Sequence, residues 1–341
     1  MIKEAIIKAV KKESLTYEMA EAVMCEIMRG EASPIQMSAY LTAMSIKGET
    51  IEEITASAAG MRKFCIRPLN DADALEIVGT GGDHSNSFNI STTSAFVVAA
   101  AGIPVAKHGN RAASSMCGAA DVLEALGAKI DVSPKKSIEM LSEIGFCFFF
   151  AQNYHISMKY VAPIRKELAI RTIFNILGPL VNPAGAKMQL LGVHSESLVE
   201  PMAEVLSNLG VKNGLVVHGR DGLDEISIGA ETLVCEIRNG KFITYSIDPK
   251  HYGFERYTKS DIKGGTPSDN ALILKSVLNG GAGPKRDAVL LNSAAALYIA
   301  RPNTTFDENI ILAEKMIDEG HAINLLNKYI AYSNTPEHNR D

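Results

Sequence analysis

Cysteine is scarce in this chain and follows no pattern. The five residues (Cys25, Cys65, Cys117, Cys147 and Cys235) are scattered, odd in number and form no CxxC. That spacing fits reduced thiols better than a disulfide framework or a zinc site. Clustered Lys and Arg are missing too. A net charge of −5 without a long basic run counts against nucleic acid as the main partner, whose footprint needs grouped cations. No apolar run reaches spanning length, and Met1-Ile2-Lys3-Glu4 opens an amphipathic pattern rather than a signal segment, so no membrane partner is expected. Two common phosphate fingerprints are also absent. The turn Gly79-Thr80-Gly81-Gly82-Asp83 lacks the third glycine of GxGxxG, and no GK[ST] follows. What remains is a globular chain of 341 residues, 46% apolar and 21% charged. It is long enough for one large or two ordinary domains, and the cytoplasm is its expected location.

The stretch from Val78 to Arg111 organises the rest. Leu75 to Val78 reads as a short buried strand ending at glycines. Gly79, Gly81 and Gly82 lack a Cβ, so this turn can reach positive φ and let a ligand approach the backbone. Asn89-Ile90-Ser91-Thr92 offers N-cap oxygens before the alanine-rich run Ala95–Ala101, which can continue as helix. A helix start beside a glycine turn gathers free N–H groups and positive dipole, so a phosphorylated ligand is predicted here. Ile103 to Ala106 reads as a second strand, with Lys107, His108, Asn110 and Arg111 just beyond its end. Ligands of open α/β sheets bind at the carboxyl ends of strands, so both loops would face one crevice.

Residues 1 to about 65 read as helices. Ser33-Pro34-Ile35-Gln36 and Thr50-Ile51-Glu52-Glu53 are capping boxes, Gly48 stops the helix between them, and Met37, Leu41 and Met44 recur at core spacing. The polar break Arg67-Pro68-Leu69-Asn70-Asp71 marks a domain boundary. From about residue 73 apolar strands alternate with helices, which predicts an α/β fold with a largely parallel central sheet and helical cover. Asp121–Leu126 and the segment from Ser133-Pro134 to Gly145 read as helices. Phe146–Phe150 reads as a buried strand delivering Gln152, Asn153, Tyr154 and His155. A helix is predicted from Pro163 to the Gly/Pro-rich segment Asn175–Pro183. Strands follow near Leu190–Val193, Leu215–His218 and within Ile226–Tyr245. A late helix spans Asn292–Ala300, and Ser333–Asp341 reads as a frayed tail.

GTGGD, Asn-Ile-Ser-Thr and Lys107-His108-Gly109-Asn110-Arg111, in this order and spacing, resemble the anthranilate phosphoribosyltransferases. Their fold is shared with the pyrimidine nucleoside phosphorylases. The similarity runs through nearly the whole chain, including the Lys47-Gly48-Glu49-Thr50 turn of the small helical domain. It implies a helical domain at 1–70, completed by about 165–185, and an α/β domain at 71–341, with a homodimer through the helical domain. The implied reaction moves phosphoribosyl from phosphoribosyl diphosphate to the amine of anthranilate, releasing diphosphate. Gly79, Gly82, Asp83, Asn89, Ser91, Thr92, Lys107 and Ala119 would lie on the phosphoribosyl diphosphate. Gly79, His108, Asn110 and Tyr154 would line the acceptor's route. Arg165, in Ala162-Pro163-Ile164-Arg165, would take the anthranilate carboxylate, since guanidinium binds carboxylate as a fork. Adjacent carboxylates on a loop are ordinarily just solvated. By the resemblance, however, Asp224 and Glu225 hold Mg²⁺ with help from the Ser91 hydroxyl, consistent with magnesium's taste for a few carboxylates plus phosphate oxygens. No acid or base is assigned, because positioning and charge stabilisation suffice.

One stretch departs from the family pattern. Where its members carry two serines, a basic residue and then Ser-Gly-Ser-Ala-Asp, this chain reads Ser114-Ser115-Met116-Cys117-Gly118-Ala119-Ala120-Asp121. A phosphate-contacting hydroxyl is thereby replaced by the Ala119 methyl group, which predicts weaker phosphoribosyl diphosphate binding. Two other readings compete: a paralogous transferase or phosphorylase with another acceptor, and a catalytically silent relative that binds nucleic acid. The retained Asp224-Glu225 and Arg165 and the acidic balance weigh against the second.

Overall fold

The structure, a computed structural model, describes residues 1–69, 72–112 and 115–336. Four helices come first, α1 (Ile2–Val10), α2 (Tyr17–Met28), α3 (Pro34–Lys47) and α4 (Ile51–Arg62). Then follow β1 (Leu75–Gly79), α5 (Ile90–Ala100), β2 (Val105–Gly109), α6 (Ala119–Ala125), α7 (Pro134–Ile144) and β3 (Phe146–Phe150). Three short helices, α8 (Ala151–Tyr154), α9 (Ala162–Leu168) and α10 (Phe174–Leu177), lead back to the sheet. The chain continues with β4 (Met188–Gly192), α11 (Val199–Asn208), β5 (Asn213–Gly219), β6 (Thr232–Arg238) and β7 (Lys241–Ile247). It closes with α12 (Pro267–Leu278), α13 (Pro284–Ala300), α14 (Phe306–Asp318) and α15 (His321–Asn334). No helix among the described residues is long and apolar enough to cross a membrane.

The N-terminal helices start and stop where local chemistry dictates. Both capping boxes are formed, at Ser33 with Gln36 and at Thr50 with Glu53, and Gly48 ends α3 at φ 82°. The seven strands lie in the order β3-β2-β1-β4-β5-β6-β7. Neighbours from β3 to β5 are parallel, while β6 and β7 add an antiparallel hairpin. Successive strand residues face opposite sides, and here each side has its own core. Leu190, Leu215 and Val217 pack with α5, α13, α14 and α15. Their neighbours Leu191 and Val216 pack with α11, α1–α4, α9 and α10. The aromatic strand β3 is buried throughout, with Phe146 stacked on Phe96 at 4.4 Å and edge-on to Tyr329 at 4.9 Å. Each ring so buried contributes roughly 1.5–3 kcal/mol.

Four expectations change. The second strand begins at Val105, not Ile103, and runs through Lys107 and His108 to Gly109, because pairing with β3 continues to Phe150. The helix from Pro163 stops at Leu168, where Ala169 takes φ 49°, and a separate turn, α10, runs into the Gly/Pro segment. The late helix starts at Pro284, eight residues before Asn292. Ser333 is not in a frayed tail: it is buried within α15, accepts from the Lys129 amide and donates to the Ile330 carbonyl. Asn70 and Asp71 of the boundary break, Ser114, and residues 337–341 of the expected tail lie outside the described residues.

Candidate active site

The carboxyl ends of β1, β2, β4 and β5 share one edge, and the glycine turn leaves β1 there. Gly79 on β1 is directly opposite Gly192 on β4. Both are glycine for the same reason: Asp224 is seated against them. A Cβ on Gly79 would lie 2.9 Å from the Asp224 carboxyl carbon, and one on Gly192 would lie 1.7 Å from the Asp224 carbonyl oxygen. Gly81 and Gly82 adopt φ of 71° and 76°, which favours glycine. The Gly81 amide then donates to Asp224 Oδ2 at 2.6 Å. The turn predicted to receive a ligand thus first receives a carboxylate from 143 residues away.

Helix α5 supplies the next element. Asn89 occupies its N-cap but makes no side-chain cap bond, contrary to the expected capping. Its amide instead pairs with Cys117: Nδ2 donates to the Cys117 carbonyl at 3.3 Å and Oδ1 accepts from the thiol at 3.4 Å. The helix start is left to a carboxylate, since the Ser91 amide donates to Glu225 Oε1 at 3.1 Å. Lys107 is buried beside it, donating to the Ile77 carbonyl at 2.7 Å and the Ser91 hydroxyl at 3.3 Å. Thr92 is buried in the first turn of α5.

Negative charge is crowded here. Burial, then Asp83 and Glu225, push the Asp224 carboxyl well above the usual carboxylate range. Burial also raises Glu225, against the opposing pull of Lys107, and lowers Lys107 itself. Asp83 Oδ2 is buried without a hydrogen-bond partner. Among the described residues no group of three or more His, Cys, Asp or Glu could enclose a metal ion by itself. Ala119 begins α6 beside this site, its methyl group 3.2 Å from where a Gly109 Cβ would stand. Asp121 ties the intervening loop shut by accepting from the Ala112 and Gly118 amides, each at 2.8 Å.

The second half of the site is a cavity of about 480 Å³ whose lining includes His108, Asn110, Gln152, His155, Arg165 and Phe174. Strand alternation divides the labour along β2: Lys107 turns to α5 and the carboxylates, and His108 turns to the cavity. Arg165 lies over the Phe174 ring at 5.6 Å, and burial alone lowers its pKa. No carboxylate among the described residues forms a salt bridge with it. His108 Nε2 is buried without a partner, and burial, then the nearby His155, hold its pKa well below normal. Tyr154 is a correction. Its ring packs on Phe149 in the sheet core and its hydroxyl meets Ser137 at 2.6 Å, because the short α8 turns it inward. His155 takes the place on the cavity wall.

Sequence reasoning missed three further residues. Gly192 had a signal, a glycine closing an apolar strand. Arg171 had none; its guanidinium donates to the Gly82 carbonyl while its own carbonyl accepts from Ser45 on α3 at 2.9 Å, joining the glycine turn to the helical layer. Asn292 was visible only as a polar residue in an apolar helix, and it bonds the main chain next to Glu225.

Comparison with known proteins agrees with this fold. Residues 71–323 match the glycosyl transferase family a/b domain, and residues 3–65 match that family's helical bundle domain. The chain is 61% identical over 335 residues to the anthranilate phosphoribosyltransferase of Methanobrevibacter smithii, covering 98% of this chain and all of the relative. It belongs to the anthranilate phosphoribosyltransferase family. The crystal structure of the Thermus thermophilus enzyme superposes with a TM-score of 0.91 at 44% identity, over 97% of this chain and 99% of that one. The Saccharomyces cerevisiae enzyme in complex with phosphoribosyl diphosphate and Mg superposes at 0.90 with 28% identity, over 97% of each chain. The helical bundle, the mostly parallel sheet and the glycosyltransferase class are therefore those of a pentosyltransferase of tryptophan biosynthesis.

Proposed function

We propose that this protein transfers phosphoribosyl from phosphoribosyl diphosphate to the amine of anthranilate, releasing diphosphate, where the carboxylate cluster meets the cavity. The observation that carries the reading is the pair of bonds from the Gly81 and Ser91 amides to Asp224 and Glu225. These bring the glycine turn, the helix start and the acidic doublet to one place.

Gly79, Gly82, Asn89, Ser91, Thr92 and Lys107 hold the diphosphate and ribose phosphate, with Asp83 near the ribose and Ala119 at the loop's edge. The positive end of the α5 dipole at this helix start suits phosphate oxygens. The donors fit Mg²⁺, since Asp224, Glu225 and Ser91 offer only oxygens, and while Lys107 offsets Glu225, Asp83 and Glu225 crowd Asp224 with negative charge. Asp224, Glu225 and Ser91 would hold the ion without enclosing it, which suits a cation that also takes substrate oxygens and water. When bound there, Mg²⁺ would supply positive charge to offset that developing on the diphosphate. Lys107 adds a buried cation on the same side, worth more in this dry setting than in water.

In the cavity, Arg165 pairs with the anthranilate carboxylate and the Phe174 side packs its ring. His108, Asn110 and Gly79 aim the amine at the ribose carbon. The amine lone pair forms the new C–N bond as the C1–O bond breaks, and its proton leaves afterwards, so no general base is assigned. We further propose a cytoplasmic homodimer. The free thiols fit a reducing compartment. Exposed Ile7 and Val10 on α1, with Ile35 and Ile46 on α3, supply an apolar face on the helical layer. Residues 1–70 with about 165–185 act as one helical domain and 71–341 as the α/β domain. The core that α9 and α10 share with α1–α4 supports joining about 165–185 to the helical layer.

Turnover with anthranilate, phosphoribosyl diphosphate and Mg²⁺, followed as loss of anthranilate fluorescence, tests the reading. Asp224→Asn combined with Glu225→Gln should nearly abolish the rate. An undiminished rate in the double variant would remove the metal assignment.

A further inference from the structure

Helix α13 is apolar through its middle, with Leu290, Leu291, Ala294 and Ala295 buried, yet Asn292 lies among them at 0% exposure. A carboxamide in such a place is costly unless its donors and acceptor are paired. Asn292 pairs them all. Oδ1 accepts from the Ile226 amide at 3.0 Å, and Nδ2 donates to the Ile226 carbonyl and to the Ala288 carbonyl, both at 2.9 Å. Two bonds to one residue's amide and carbonyl are what a neighbouring strand would make. Residues 224–228 belong to no strand, and Ile226 has no other backbone partner among the described residues.

Ile226 immediately follows the acidic doublet. On the opposite flank, Gly79 and Gly192 press against Asp224. Downstream, the turn is held separately: the Ser227 hydroxyl donates to Asp221 at 2.9 Å and accepts from the Gly229 and Ala230 amides at 2.9 and 3.2 Å. Freeing Ile226 therefore releases the doublet without releasing the whole loop.

We propose that Asn292 is a positioning residue for Asp224 and Glu225: its carboxamide fixes the Ile226 main chain so that both carboxylates face the glycine turn and the start of α5 together. The inference rests on the phosphoribosyl-transfer reading above, in which that pair holds the divalent cation.

Asn292→Asp keeps the size and an acceptor for the Ile226 amide but removes both donors, and Asn292→Ser removes the reach. In either variant the Mg²⁺ concentration giving half-maximal rate should rise by roughly 10–100-fold, the range for groups that orient metal-binding side chains. The anthranilate KM should stay within about twofold. Calorimetric titration of Mg²⁺ into protein with phosphoribosyl diphosphate, anthranilate omitted, should show the same weakening without turnover. An unchanged metal dependence in a folded variant overturns the proposal. So does an equal loss of anthranilate and metal affinity, which marks general collapse of the scaffold. Wild-type protein showing no Mg²⁺ dependence would instead refute the underlying reading, and the proposal with it. If both variants fail to fold, hydrogen exchange on the wild type decides. The Ile226 amide should exchange as slowly as the strand amides of β5, and exchange at the rate of an exposed turn overturns the clamp.

Discussion

Gly192→Ala is the sharpest perturbation this geometry allows. A Cβ at that position would stand 1.7 Å from the Asp224 carbonyl oxygen and 2.4 Å from its carbon. Nonbonded heavy atoms settle at roughly 3.5 Å, so the Asp224 main chain must retreat by about 1.5 Å or more. It cannot do so by rotating a side chain, because the clash is with backbone, and Asn292 holds Ile226 two residues on. Two costs follow. Overpacking should lower stability by about 1–3 kcal/mol, and misplacing a carboxylate by over an ångström should cost on the order of 100-fold in turnover. The assays are chemical denaturation and the fluorescence rate at several Mg²⁺ concentrations, with the anthranilate KM as internal control. Loss of stability with unchanged turnover and metal dependence would show that the glycine serves packing alone. That result would refute the assignment of Asp224 to the reacting centre.

Arg165→Ala should raise the anthranilate KM by roughly 10–100-fold, the value of a charged hydrogen bond; an unaltered KM in steady-state kinetics would move the carboxylate elsewhere. Ala119→Ser restores a hydroxyl at the start of α6, and titration should show tighter phosphoribosyl diphosphate binding, with equal or poorer affinity refuting the idea. His155 gives a pH signature. Burial lowers its pKa from 6.5 to about 4, so between these values the unfolded chain binds a proton that the folded chain refuses. Stability is then intact above pH 6.5 and falls as pH drops toward 4, by about 3 kcal/mol in all. Denaturation midpoints should show this slope, and His155→Gln should flatten it; an identical slope in the variant would assign the acid sensitivity to other groups.

Local chemistry wrote much of this fold into the chain. Ser33, Thr50 and Gly48 fix helix ends by bonds within a turn, and β1, β3 and β5 are apolar runs bounded by glycine or polar residues. Those signals act over a few residues, so they can be read in order. The resemblance carried GTGGD, Lys107, Arg165 and the Asp224-Glu225 pair toward the site. Boundaries set by distant partners were misread. Lys107 and His108 are strand residues because β3 continues beside them, and Tyr154 turns inward because Ser137 on α7 receives its hydroxyl.

What the sequence alone determined was which groups are chemically able: a glycine turn, a helix start, two adjacent carboxylates and a guanidinium. What only the tertiary structure decided was their meeting. Gly192 and Asn292 are unremarkable where they stand in the chain, one at a strand end and the other in an alanine-rich helix. Their roles arise because the sheet carries Gly192 against the Asp224 carbonyl and α13 lays a carboxamide along Ile226. Contacts between residues more than 30 and up to 145 positions apart depend on how strands are ordered and helices stacked, and no pattern of neighbours along the chain encodes them.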